Sequence, residues 1–224
     1  MIPRFPVYLF DLDGTLLDSA QDICGAVQQV LDVTDAPPVT FEFLKSYVGR
    51  HLLDLFIDIF PHYSPKQIDQ LIQQYRAVYP ARGHKLTRMY PGVMEGLTAL
   101  PGRKSIATTK GTASTRLILE QFGLAGYFDH VQGTDGFPCK PAPDVIFNAL
   151  NALRAATSEC LMVGGHGLVE AIKPAHVVLA VGGRTASIRA DGGLAGVFDG
   201  RPEGVHHLAG LLPHAAERCV EAHP

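Results

Sequence analysis

The residues of this sequence best suited to chemistry are two aspartates that directly follow an apolar segment. Asp11 and Asp13 lie in the run DLDGT, immediately after the apolar residues Val7 to Phe10. A carboxylate nucleophile divides a phosphoryl transfer into two easier steps through an aspartyl-phosphate. A second carboxyl nearby can protonate the leaving oxygen and then take a proton from the attacking water. The pair therefore predicts phosphoryl transfer, with Asp11 as the nucleophile and Asp13 as the general acid and base.

The turn after these carboxylates decides where they point. Residues two apart in an extended segment share one face, whereas a turn that begins at Gly14 could aim them differently. The same D-x-D-G pattern can also cap a strand or bind calcium. The pentapeptide by itself leaves that alternative open.

Short apolar runs alternate with helical patterns along most of the chain. Runs bounded by turn residues are typical of strands buried on both faces of a parallel sheet, and they occur at 7–10, 105–108, 161–163 and 177–181. Helical patterns lie at 93–100, 113–122 and 143–153. This alternation predicts an α/β fold, a Rossmann-like doubly wound parallel sheet. Ligands of such sheets bind beyond the carboxyl ends of the strands, where Asp11 and Asp13 stand.

One segment, residues 20–85, breaks the alternation because it contains helical patterns and no convincing strand. Within it, Ser64 is a suitable N-cap, Pro65 suits the first helical position and Gln67 completes a capping box. We therefore predict a small helical cap domain over 20–85, inserted into a core formed by 1–19 and 86–224.

The bulk composition excludes several classes of protein. The formal net charge of -3 gives no electrostatic reason to expect nucleic acid or an anionic membrane as a partner. No apolar stretch reaches the roughly 18 residues of a transmembrane helix, and the N-terminus does not resemble a signal peptide. The four cysteines stand far apart and are typical of reduced thiols. We expect a cytoplasmic protein, and no feature predicts its oligomeric state.

Three motifs of this sequence, and their order along the chain, resemble those of the haloacid dehalogenase superfamily in the form used by its phosphatases. They are FDLDGTLLDS at 10–19, SIATTK at 105–110 and KPAPD at 140–144. The segments VGR at 48–50 and TRMYPGV at 87–93 are similar to the phosphoglycolate phosphatase branch. The resemblance covers most of the chain.

The resemblance implies a site with four catalytic residues, Asp11, Asp13, Thr108 and Lys140, and four substrate-binding residues, Gly14, Arg50, Thr109 and Lys110. The Thr108 hydroxyl can donate to a phosphoryl oxygen. Lys140 can neutralise phosphate and keep Asp11 ionised, although a solvated surface lysine is the alternative. Arg50 could reach the distal group of the substrate or form a surface ion pair.

The fourth motif departs from the family pattern, in which Gly-Asp and a second acidic residue follow a strand. Here the strand leads into GGHGLVE at 164–170, so Gly165 occupies the first acidic position. The family resemblance implies Mg²⁺ bound by the Asp11 carboxylate and the backbone carbonyl of Asp13, with Glu170 as a candidate further ligand. Three outcomes are open: Glu170 or His166 completes the site, water replaces the missing ligand, or the protein has lost most catalysis.

The resemblance thus implies a Mg²⁺-dependent phosphatase acting on a small phosphorylated metabolite, similar to phosphoglycolate. Asp13 argues against the dehalogenase and phosphonate hydrolase branches, which do without an acid at that position. A sugar-phosphate mutase shares the first motif. The alternative from another class is a catalytically weakened or silent phosphate-ligand binder, which Gly165 suggests. The cap residues would select the substrate, and their geometry is not readable from the sequence.

Overall fold

A sheet of seven strands forms the centre of the molecule. The structure, a computed structural model, describes residues 5–140 and 142–164 together with the backbone of three further strands between 176 and 199. The strands are β1 Val7–Phe10, β2 Leu17–Asp18, β3 Arg88–Met89, β4 Arg103–Ala107, β5 His130–Gln132, β6 Cys160–Gly164, β7 His176–Val181, β8 Arg184–Ile188 and β9 Leu194–Asp199. The seven-stranded sheet has the order β5-β4-β1-β6-β7-β8-β9, and β2 pairs with β3 separately.

The described part of the chain contains seven α-helices. They are α1 Ala20–Leu31, α2 Phe41–Lys45, α3 Leu52–Ile59, α4 Pro65–Ala81, α5 Val93–Ala99, α6 Thr112–Gln121 and α7 Asp144–Ala152. The predicted start of α4 is confirmed, because the Ser64 side chain accepts a hydrogen bond from the Gln67 backbone and the Gln67 side chain accepts one from the Ser64 backbone. None of these described helices is both long and apolar enough to cross a membrane.

Strand β1 is an interior strand of the sheet and is buried on both faces. It pairs in parallel with β4 on one side and with β6 on the other. Because successive side chains of a strand point to opposite faces, Val7 and Leu9 join an apolar cluster with α7, while Tyr8 and Phe10 join a second cluster with α6. A continuous apolar run therefore forms this strand, and helices cover both faces.

The predicted fold class is confirmed. The four predicted strands correspond to β1, β4, β6 and β7, and the three predicted helices to α5, α6 and α7. The sheet is parallel from β5 to β7, but β8 and β9 extend it in antiparallel pairing, which the apolar runs did not predict. Strand β5 was not predicted either, since two of its three residues are polar and all are only half-buried.

Helices α1 to α4 occupy the segment between β2 and β3, and all of residues 20–85 are described without a strand. These helices share an apolar cluster that includes Val27, Leu44, Phe56, Ile68 and Leu71. Strands β2 and β3 pair in antiparallel fashion on either side of the segment. The chain therefore leaves and re-enters the sheet region at one place. The domain boundaries at 19/20 and 85/86 stay a prediction.

Candidate active site

The carboxyl ends of β1 and β4 bring the predicted site residues of the first two motifs together. Asp11 directly follows β1 and Thr108 directly follows β4, and these strands are parallel neighbours. The Asp11 backbone N–H donates to the Val163 carbonyl of β6, which extends the sheet pairing by one residue. Both side chains are buried, Asp11 at 6% exposed and Thr108 at 1%. The strand order thus places a carboxylate and a hydroxyl at one edge of the sheet.

Asp11 forms a buried ion pair with Lys140, whose Nζ lies 2.9 Å from the Asp11 Oδ1 atom. Lys140 is only 7% exposed. Burial raises the pKa of the Asp11 carboxyl above its ordinary value, and the neighbouring Asp13 adds to that rise, whereas the Lys140 charge opposes it. Lys140 is therefore not a solvated surface lysine, since its charge compensates the carboxylate at the end of β1.

Asp13 has partners different from those of Asp11, because the chain turns directly after it. Gly14 has a φ of +75°, in the left-handed region that favours glycine, and its N–H donates to the Leu17 carbonyl over 2.8 Å. The Ser19 hydroxyl donates to the Asp13 Oδ1 atom. The Lys110 Nζ lies 3.4 Å from the Asp13 Oδ2 atom. The two carboxylates are thus each held by their own lysine.

The loop after β5 holds the backbone on which Thr108 and Lys110 lie. The Thr134 N–H donates to the Lys110 carbonyl over 2.8 Å, and the Thr134 hydroxyl donates to the Thr108 carbonyl over 3.0 Å. A Cβ on Gly133 would lie 2.4 Å from the Lys110 carbonyl oxygen, so only glycine allows this approach. Neither Gly133 nor Thr134 was identified from the sequence, because no recognised motif contains them.

A cavity of about 630 Å³ lies between the helical segment and the end of the sheet. The residues around it include Asp13, Arg50, Tyr79, Thr109, Lys110 and Asp135. Of the predicted site residues, Asp11, Gly14, Thr108 and Lys140 do not line it. The Arg50 guanidinium lies over the Tyr47 ring, 4.4 Å from its centroid. The cavity is thus lined both by residues of the helical segment and by Asp13, the candidate general acid.

The oxygen atoms of Asp11 and Asp13 are of the kind that Mg²⁺ prefers, and Mg²⁺ commonly takes one or two protein carboxylates plus water and phosphate. Among the described residues, no group of three His, Cys, Asp or Glu side chains is arranged to hold a metal ion. Gly165, His166 and Glu170 lie outside the described residues. The donors present fit Mg²⁺, and the part assigned to Glu170 stays a prediction.

A parallel sheet flanked by helices, with a buried, lysine-paired carboxylate directly after β1, defines an α/β protein with a candidate active site at the carboxyl ends of its strands. Residues 8–167 match the family described as haloacid dehalogenase-like hydrolase, and this chain belongs to that family. It is an enzyme of the phosphatase type, since its curated relatives include phosphatases. The family match ends at residue 167, within the altered fourth motif.

Individual relatives agree with this assignment. A protein of Vibrio vulnificus (strain YJ016) named phosphoglycolate phosphatase is 34% identical over 166 residues, which cover 69% of this chain and 73% of that protein. The crystal structure of a predicted phosphatase from Clostridium acetobutylicum is 31% identical, with a TM-score of 0.66, and the match covers 73% of this chain and 77% of that one. A putative phosphoglycolate phosphatase from Lactobacillus plantarum, 19% identical with a TM-score of 0.71, shares the fold over 80% of this chain and 87% of its own.

Proposed function

We propose that this enzyme is a Mg²⁺-dependent phosphatase that hydrolyses a small phosphorylated metabolite, similar to phosphoglycolate, through an aspartyl-phosphate on Asp11. The observation that carries the proposal is that the two carboxylates have different partners and different surroundings. Asp11 is buried against Lys140 at 2.9 Å, while Asp13 lines the cavity with Lys110 beside it at 3.4 Å. Two neighbouring carboxyl groups in different surroundings suit different roles.

The proposed reaction has two steps at one phosphorus atom. An Asp11 carboxylate oxygen attacks the phosphorus, the bond to the leaving oxygen breaks, and Asp13 gives that oxygen a proton. A water molecule then attacks the phosphorus, Asp13 takes its proton, and the bond to Asp11 breaks, which releases phosphate. Lys140 would balance the charge of Asp11, and the Thr108 hydroxyl would donate a hydrogen bond to a phosphoryl oxygen. Mg²⁺ bound by the Asp11 carboxylate, the Asp13 backbone carbonyl and Glu170 would supply charge stabilisation worth several kcal/mol.

We propose further that residues 20–85 form a cap whose side chains select the substrate. Arg50 and Arg76 both line the cavity, and neither has an ion-pair partner among the described residues. A guanidinium binds a carboxylate or phosphate through two parallel hydrogen bonds. A substrate with a second anionic group beside its phosphate, as in phosphoglycolate, suits this lining. The comparisons do not favour the silent phosphate-binding alternative.

The test is phosphate release from phosphoglycolate and from p-nitrophenyl phosphate, with Mg²⁺ and with EDTA. We expect Mg²⁺-dependent release by the wild type and none by Asp11→Asn, because an amide is a poor nucleophile and a poor metal ligand. On phosphoglycolate, Asp13→Asn should lose about 10²–10⁴-fold, the usual contribution of a general acid or base. The matched control is Asp18→Asn, which changes an exposed carboxyl on β2. Near-wild-type turnover by Asp11→Asn would disprove the covalent mechanism.

A further inference from the structure

The ammonium group of Lys110 lies between a tyrosine of the helical segment and the proposed general acid. Its Nζ is 3.0 Å from the Tyr79 hydroxyl oxygen and 4.1 Å from the centroid of the Tyr79 ring. The same nitrogen is 3.4 Å from the Asp13 Oδ2 atom. The Lys110 side chain is only 13% exposed. Lys110 therefore has two protein partners, Tyr79 on α4 and Asp13 in the turn that follows β1.

The contacts of Asp13 leave its carboxyl group little freedom to rotate. The Ser19 hydroxyl donates to Oδ1, and Lys110 approaches Oδ2. Ser19 is fixed at the start of α1, but lysine is a point charge on a flexible four-carbon stem. The orientation of Asp13 therefore depends on whatever keeps the Lys110 ammonium in place.

Tyr79 is a rigid partner for that ammonium. It is 4% exposed, its ring stacks on Tyr75 with centroids 5.4 Å apart, and the His84 ring meets it edge-on at 5.0 Å. Burial raises the pKa of the Tyr79 phenol, so the hydroxyl stays neutral and can accept a hydrogen bond from Lys110. Its position is set by the packing of α4 and not by solvent.

We propose that Tyr79 is a positioning residue, whose hydroxyl holds the Lys110 ammonium against Asp13 and so keeps the general acid aimed at the leaving oxygen. This inference rests on the proposed function, because it requires Asp13 to act as the acid. Tyr79 belongs to α4, whereas Lys110 and Asp13 follow strands of the sheet. The acid is therefore held in place when α4 packs over the end of the sheet. The orientation of the Asp13 carboxyl group therefore depends on the position of the helical segment.

The leaving group of the substrate distinguishes this role from substrate binding. An alcohol leaving from phosphoglycolate needs the proton of Asp13, whereas p-nitrophenolate leaves as a stable anion. The ratio kcat/KM reports transition-state stabilisation relative to the free enzyme and substrate. It includes the first, acid-assisted step and excludes the later hydrolysis of the aspartyl-phosphate. A misplaced acid should lower kcat/KM for phosphoglycolate and leave that for p-nitrophenyl phosphate nearly unchanged.

The test uses Tyr79→Phe, which removes the hydroxyl and keeps the ring with its packing contacts. We expect kcat/KM to fall about tenfold on phosphoglycolate, the order of one lost hydrogen bond to a charged group, and less than about twofold on p-nitrophenyl phosphate. Tyr75→Phe is the matched control on the same helix, since the Tyr75 hydroxyl makes no hydrogen bond within the described residues. That control should leave the ratio of the two kcat/KM values, for phosphoglycolate and for p-nitrophenyl phosphate, unchanged.

A second pair of variants tests whether Tyr79 acts through Lys110. Lys110→Met keeps an unbranched side chain and removes the charge. It should lower kcat/KM for phosphoglycolate and not for p-nitrophenyl phosphate. In that background, Tyr79→Phe should have no further effect. Three results would overturn the inference: equal losses of kcat/KM on both substrates, a change in KM alone, or losses that multiply in the double variant. Turnover by the wild type would in that case still support the proposed function. A wild type that hydrolyses neither phosphate would overturn both.

Discussion

Replacing Asp22 with alanine should remove much of the stability of this fold, because one buried carboxylate holds the chain where it returns to the sheet. Asp22 lies in α1 and is 1% exposed. Its Oδ2 atom accepts hydrogen bonds from the Leu86 N–H at 2.9 Å, the Thr87 N–H at 2.7 Å and the Thr87 hydroxyl at 2.8 Å. Its Oδ1 atom lies 3.5 Å from the Arg82 Nε. The first turn of α1 is thereby tied to residues just before β3.

The size of the effect follows from the two oxygens. Alanine leaves the Leu86 and Thr87 N–H groups without an acceptor, and hydrogen bonds to charged groups contribute about 1.5–3 kcal/mol each, so we expect a loss of about 3–6 kcal/mol. Asp22→Asn can keep all three bonds through its amide oxygen, but it loses the ion pair and the negative charge of the acceptor. The Arg82 side chain is 26% exposed, so that pair should contribute no more than about 1 kcal/mol.

Urea unfolding at constant pH measures both losses. The free energy of unfolding should decrease from the wild type to Asp22→Asn and then more steeply to Asp22→Ala. Asp69→Ala serves as the control, because this exposed carboxylate on α4 should contribute less than about 0.5 kcal/mol. A loss below about 1 kcal/mol in Asp22→Ala would refute the reasoning, as would equal losses in the Asn and Ala variants.

Two further substitutions test the loops around the cavity. Gly133→Ala would place a Cβ 2.3 Å from the Thr112 nitrogen and 2.4 Å from the Lys110 carbonyl oxygen, so it should cost about 1–3 kcal/mol of stability and lower kcat. The control Gly126→Ala adds a Cβ in open space and should change neither stability nor kcat. Equal effects of the two substitutions on thermal unfolding and turnover would contradict this prediction. Burial and the nearby Lys110 charge lower the pKa of His84 below its ordinary value of 6.5, so the unfolded chain binds a proton first and stability should fall as pH drops below about 6.5. His84→Asn tolerates the φ of +53° and should reduce this acid sensitivity, whereas an unchanged dependence of Tm on pH would count against the assignment.

Local patterns predicted the elements of the core well. The apolar run of β1 needs only its own residues to indicate a strand buried on both faces, and the capping residues of α4 act within one turn. The antiparallel strands β8 and β9 and the short strand β5 escaped prediction. Their pairing depends on neighbours elsewhere in the chain, and β5 lacks an apolar run of its own.

The contacts that hold the site were much less accessible to prediction. Asp22 contacts Thr87 across 65 positions of the sequence, and Tyr79 contacts Lys110 across 31. No periodicity or motif spacing reports such contacts, because they arise when α1 and α4 pack together beside the sheet. A buried aspartate and tyrosine within helical patterns appear, in the sequence, as ordinary helix residues.

The sequence by itself determined which chemical groups this enzyme has at the ends of its strands: Asp11 and Asp13 after β1, Thr108 after β4, and two lysines further along. The family resemblance assigned Lys140 to Asp11, but nothing in the sequence predicted a lysine partner for Asp13. The tertiary structure contains the Lys140–Asp11 pair and decided that Lys110 pairs with Asp13. The physical reason is that ion pairing depends on distance in space, and the order of strands in the sheet, together with the turn at Gly14, sets those distances.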